Sequence, residues 1–176
     1  MKNIDIKLFA DGADLKEMFK WYNSGIISGF TTNPTLMRKA GITNYEGFAR
    51  NVLEVITDMP ISFEVFSDDP HSMIKEARKI SSWGENLYVK IPVINTYGYS
   101  MDFVIKQLSE EGIKLNVTAI LTFNQVRDVL KSLSETTPSI ISVFAGRIAD
   151  TGRDPSDIMK MSSILVKNKN VELLWA

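Results

Sequence analysis

Short apolar runs alternate with longer amphipathic stretches from one end of the chain to the other. The runs predict strands at 4–11 (IDIKLFAD), 28–34 (SGFTTNP), 61–67 (ISFEVFS), 87–93 (LYVKIPV), 115–121 (LNVTAIL), 140–146 (IISVFAG) and 171–176 (VELLWA). Helical patterns, with apolar residues every three or four positions, lie between them at 15–25, 44–58, 70–84, 97–112, 122–136 and 154–168. Pro70 and Pro155 suit the first turn of a helix, and Gly25, Gly84 and Gly112 suit its end. The repeating unit is therefore a strand followed by a helix. Continuous β-branched runs joined by single helices favour a parallel sheet covered on its outer face, either closed as a barrel or open and doubly wound. Neither GxGxxG nor GxxxxGK occurs, which takes weight from an open nucleotide-binding sheet. The expected fold is α/β, a (β/α)8 barrel forming a single domain over residues 1–176.

One count does not fit a closed barrel. Eight units usually need about 200 residues or more, whereas seven strands and six helices exhaust this chain of 176. The expectation is an incomplete barrel that lacks its closing C-terminal units, with a gap between the first and last strands. Asp11 and Trp175, at the two edges, are then expected to be more open than Lys90 and Thr118 in the middle. An unclosed sheet exposes strand edges, so a homo-oligomer is expected.

Composition narrows the partners. Twenty Lys and Arg nearly cancel 21 Asp and Glu, which leaves no basic field for nucleic acid and no polybasic segment for a membrane surface. The expected partner is a small molecule. Cysteine is absent, excluding disulfides, Cys-based metal sites and Cys nucleophiles. The N-terminus lacks the long apolar stretch of a signal peptide and no run approaches a membrane span, so a cytoplasmic location is expected.

Strand alternation then exposes an anomaly. Residues two apart on a barrel strand face the same way, so Val89 and Ile91 face the helices while Tyr88, Lys90 and Pro92 face the lumen. A lysine inside an apolar wall is pressed toward the neutral amine that attacks carbonyls. The ordinary readings are a strand-end lysine reaching solvent, or a buried salt bridge. The neighbouring strands strengthen the chemical reading. Glu64 is the lone charge in its run, Asp11 ends the first strand, Asn116 and Thr118 share a face, and so do Ser142 and Phe144. Asn33 and Arg147 fall just past strand ends. Taken singly each has a plain role: Asp11 or Asn33 as a helix cap, Asn116 in a turn, Arg147 in a surface ion pair, Phe144 as core filling. Together they gather at the lumen and C-terminal rim, where barrel enzymes build their sites. The lone His71, in SDDPHSM, reads as a helix-start residue.

The phrases GFTTNPTL, YVKIPV, LNVTAILTFNQ and SVFAGRIADTGRDP resemble those of the transaldolases, in particular the short subclass that includes the fructose 6-phosphate aldolases. The resemblance is ordered along the whole chain. It implies Lys90 as the Schiff-base lysine, Asp11 as the acid/base aspartate, and Asn33, Asn116 and Ser142 as substrate contacts. It further implies Glu64 and Thr118, expected on neighbouring strands, as holders of a catalytic water, and Arg147 as the phosphate-binding arginine. Sugar phosphates would be the substrates, with no metal or organic cofactor required. Phe144 with Glu64 resembles the transaldolase arrangement rather than the aldolase one, which implies transfer of a dihydroxyacetone unit between sugar phosphates of the pentose phosphate pathway. The alternatives are a fructose 6-phosphate aldolase and a non-catalytic barrel fragment that folds by association.

Overall fold

The computed structural model describes residues 6–176. Seven parallel strands form one sheet in chain order: β1 (Phe9–Asp11), β2 (Gly29–Thr31), β3 (Ile61–Glu64), β4 (Leu87–Pro92), β5 (Leu115–Ile120), β6 (Ser139–Val143) and β7 (Val171–Trp175). The helices are α1 (Leu15–Ser24), α2 (Pro34–Lys39), α3 (Tyr45–Val55), α4 (Pro70–Ser81), α5 (Asp102–Glu110), α6 (Phe123–Ser132), α7 (Ala145–Asp150) and α8 (Ser156–Val166). Eight helices among the described residues correct the expected six. The two extra ones, α2 and α7, have six residues each, too few for an apolar period to register. They begin where strands were expected to continue, so β2 stops at Thr31 and β6 at Val143. The expected helix at 97–112 starts only at Asp102, because Ile94 and Ser100 pair as a small antiparallel bridge around Gly98 at φ 82°. Of the first predicted strand, residues 4 and 5 lie outside the described residues and the ordered ladder is Phe9–Asp11.

The caps follow from side-chain chemistry. Asp14, Asn44, Asp69 and Thr122 each accept a hydrogen bond from the third residue onward, satisfying a first-turn N–H that the helix cannot. Pro70 opens α4, and Gly25 closes α1 at φ 66°, a conformation that costs glycine nothing. Gly29 pairs with Phe9, and the Phe9 ring lies over it, so a Cβ there would press the ring aside.

Outward-facing Phe63, Val89, Ile91, Val117 and Ile141 are fully buried between sheet and helices, each removal from water stabilising by about 1.5–3 kcal/mol. The alternate positions, Glu64, Lys90, Asn116 and Ser142, face inward. The ladder places Glu64 beside Lys90 and Lys90 beside Asn116. On β5 the register slips: Val117 pairs with Ile141 but Ile120 pairs with Val143, so β5 carries one extra residue. Ala119 takes it up at φ 60°, a bulge that returns Ile120 to the outer core just beyond Thr118.

The sheet curls without closing. No ladder joins β7 to β1 among the described residues, yet residues of both strands line one cavity and the Lys7 ammonium contacts the Glu172 carboxylate across the gap. As expected, Asp11 and Trp175 are exposed, Trp175 by 56%, whereas Lys90 and Thr118 are 8% and 2% exposed. The architecture is an incomplete (β/α)8 barrel.

Candidate active site

A cavity of about 1150 Å³ opens on the concave side of the sheet. Asp11, Asn33, Lys90 and Thr118 line it, together with Ser142, Phe144 and Arg147. Glu64 and Asn116 stand behind its wall and reach it through Lys90 and Ser142 respectively. The inward polar residues therefore do converge.

Lys90 lies at mid-strand on β4, with its Nζ 3.3 Å from the Glu64 carboxylate and donating to the Thr32 carbonyl at 3.2 Å. One of its two ordinary readings, the buried ion pair, is realised; a lysine reaching solvent is not. Burial pushes the Glu64 carboxyl above the usual glutamate range, the Lys90 charge pulls it back in part, and Asp11 adds to the rise. A carboxyl of raised pKa at this distance is placed to accept a proton from its neighbour.

Asp11, at the end of β1, accepts from the Thr31 hydroxyl at 2.8 Å. It caps no helix; Asp14 does that for α1. Asn33 does cap α2, its Oδ1 accepting from Leu36 at 2.9 Å, while it also lines the cavity. Asn116 is fully buried on a strand rather than in a turn. It donates to Ser62 Oγ at 2.9 Å and accepts from Ser142 Oγ at 2.7 Å. Phe144 is half-buried on the cavity wall just before α7. Arg147 is exposed at the rim and pairs with Asp150 at 3.1 Å, so it is a surface pair that also lines the cavity. Glu64 and Thr118 correct the expectation of neighbouring strands: β4 runs between β3 and β5, with Lys90 paired to Glu64 on one side and Pro92 paired to Thr118 on the other.

Thr118 Oγ1 is buried and meets no protein partner. Thr118→Val should therefore keep folding stability within about 1 kcal/mol in urea titration. If that hydroxyl serves the chemistry, turnover should fall while the fold is unchanged.

Four contributors were not singled out from the sequence. Ser62 lies two residues before Glu64, so the same alternation that paired Asn116 with Thr118 could have found it. Thr31 and Thr32 lie within FTTNP; Thr32 donates to the Ser62 carbonyl at 3.0 Å. Tyr45 comes from α3 and donates to the Glu64 carbonyl at 2.8 Å, with its ring edge-on to Phe63, Phe66 and Trp83. Burial raises its hydroxyl pKa, so it remains a donor and pins the end of β3. No local pattern marks it, because the contact spans 19 residues.

The fold is an incomplete barrel scaffold whose concave cavity holds the one buried lysine among the described residues. A solved structure, the probable 3-DHS dehydratase of Bacillus anthracis, superposes with a TM-score of 0.55 at 12% identity, covering 90% of this chain and 70% of that one; this likeness concerns the fold alone. The family model described as transaldolase/fructose-6-phosphate aldolase matches residues 8–173, and the chain belongs to that family. A probable transaldolase of Dehalococcoides mccartyi is 35% identical over 149 residues, 85% of this chain and 65% of its own length. Another from Thermoplasma acidophilum is 37% identical over 165 residues, 93% of this chain and 70% of its own. The chain thus spans about two thirds of the length of these relatives. No helix among the described residues is long and apolar enough to cross a membrane.

Proposed function

We propose that this chain is a transaldolase, an aldol-type transferase that moves a dihydroxyacetone unit between sugar phosphates through a Schiff base on Lys90. The observation that carries this reading is the buried Lys90 beside a carboxyl of raised pKa, facing a cavity large enough for a sugar phosphate. Glu64 takes the ammonium proton, and the free amine attacks the C2 carbonyl of a ketose phosphate. Loss of water gives an iminium, which draws in the electron pair of the C3–C4 bond as that bond breaks. Asp11, aligned by Thr31, takes the proton of the C4 hydroxyl, and an aldose phosphate leaves. The enamine left on Lys90 then adds to the aldehyde of an acceptor, and hydrolysis releases the new ketose. Glu64 and Thr118, on either side of Lys90, suit the proton transfers of imine formation and breakdown. Asn33 and Ser142 suit the sugar hydroxyls. Arg147 suits a distal phosphate, which would compete with Asp150 for its guanidinium. Sugar phosphates as substrates, a place in the pentose phosphate pathway and a cytoplasmic setting all belong to this reading.

The test is product analysis with fructose 6-phosphate as donor and erythrose 4-phosphate as acceptor. Sedoheptulose 7-phosphate as the main product supports transfer; free dihydroxyacetone as the main product would make the protein an aldolase instead. Phe144 bears on this choice, since a phenyl ring offers no hydrogen bond to a water beside the iminium and a phenol would. Phe144→Tyr should raise release of dihydroxyacetone relative to transfer severalfold. An unchanged ratio in the folded variant would place the choice elsewhere.

A further inference from the structure

A row of buried polar side chains crosses the inner face beside Lys90, and the mechanism above uses only the end that meets the cavity. Ser62 on β3 and Asn116 on β5 are 0% exposed, and Ser142 on β6 is 2% exposed. The Asn116 amide joins the other two: its Nδ2 donates to Ser62 Oγ at 2.9 Å, and its Oδ1 accepts from Ser142 Oγ at 2.7 Å. Ser142 lines the cavity, whereas Ser62 and Asn116 do not. Ser62 is held in turn by its backbone, because its carbonyl accepts from both the Thr32 amide and the Thr32 hydroxyl.

We propose that Ser62 is a positioning residue for sugar binding, acting through Asn116 on Ser142. The inference rests on the aldol-transferase reading. A planar amide anchored at its nitrogen end has its oxygen aimed at the opposite strand, where it engages the Ser142 proton. With that proton committed, Ser142 offers the cavity a lone pair, the acceptor that a sugar hydroxyl needs. A buried amide N–H deprived of Ser62 Oγ would turn in search of another acceptor, and Ser142 would lose its fixed polarity. Ser62 touches no substrate in this account. Its effect is therefore on ground-state binding of the sugar rather than on proton transfer at Lys90.

The test measures borohydride trapping of fructose 6-phosphate on Lys90 by mass spectrometry, as a function of sugar concentration. Ser62→Ala should raise the half-saturating concentration about ten-fold, the scale of one hydrogen bond lost in a buried site, with little change in the saturating rate. Ser142→Ala should do the same, and the double variant should be no worse than Ser142→Ala alone, because both act through one contact. Losses that simply multiply in the double variant, or a Ser62→Ala protein that saturates like wild type, would overturn the role. Hydrogen exchange of the Asn116 side-chain amide, followed by NMR, reads the row without any substrate: it should accelerate at least ten-fold in Ser62→Ala. An unaltered exchange rate would overturn the anchoring itself. If wild-type Lys90 is not trapped although this exchange behaves as expected, the aldol-transferase reading fails and the binding role falls with it.

Discussion

Borohydride reduction in the presence of fructose 6-phosphate should add the sugar to the peptide carrying Lys90 and to no other lysine peptide, and Lys90→Met should abolish the adduct. Selectivity follows from surroundings rather than from residue type. Lys90 is the one buried lysine among the described residues, and the ion-paired lysines at 7, 20, 79, 106 and 131 are all more than 60% exposed. A solvated ammonium holds its proton, and water competes for any imine it forms. Lys90 instead has a carboxyl 3.3 Å away that can accept the proton, within a pocket that shields the product. Methionine fills similar space without a charge, so the fold should persist, and Glu64, stripped of the cation that lowers its pKa, should move further upward. An adduct of equal yield on Lys90→Met, or one found mainly on a surface lysine of the wild-type protein, would sink the proposal.

Glu64→Gln should slow turnover by about 10² to 10⁴, the usual worth of a general acid/base, with a much smaller effect on sugar binding. The sign of its pH dependence is set by the raised pKa of Glu64. On the acidic side the wild-type rate should fall as pH drops through the Glu64 value, because a protonated carboxyl cannot relieve Lys90 of its proton. In Glu64→Gln that limb should disappear. Stability runs the other way. The folded chain binds the Glu64 proton more tightly than the unfolded chain does, so stability declines as pH rises from the ordinary glutamate value through the raised one. Glutamine should flatten this decline in urea titrations across pH. A variant that retains both the acidic limb and the wild-type rate would remove Glu64 from the proton path.

Strand alternation picked out most of the inward-facing polar residues, and the ones it missed show where that rule ends. Lys90, Asn116, Thr118 and Ser142 face the lumen because a period of two leaves a mid-strand residue only two directions. Ser62 obeyed the same rule, two residues before Glu64, but was passed over for the charge beside it. Asn33 and Phe144 were singled out as well, but the helices they lead into, α2 and α7, are too short to leave a period in the sequence. Thr32 and Tyr45 matter through a carbonyl and a hydroxyl that meet residues far along the chain, and no local pattern encodes such a meeting.

By itself the sequence determined the α/β class, the parallel order of strands, the inward set of polar residues and the shortfall against an eight-unit barrel. These depend on periodicity, chain length and the handedness of strand–helix–strand connections, all of which are local or additive. Only the tertiary structure decided the rest. The curl of the sheet brought β1 and β7 to one cavity while leaving them unpaired, set Lys90 beside Glu64 on a strand that separates Glu64 from Thr118, and shifted the phase of β5 at Ala119. It also joined Ser62, Asn116 and Ser142 into one row across β3, β5 and β6. Each of these is a contact between strands distant in sequence, and its geometry depends on register and curvature, which emerge only when the whole sheet packs against its helices.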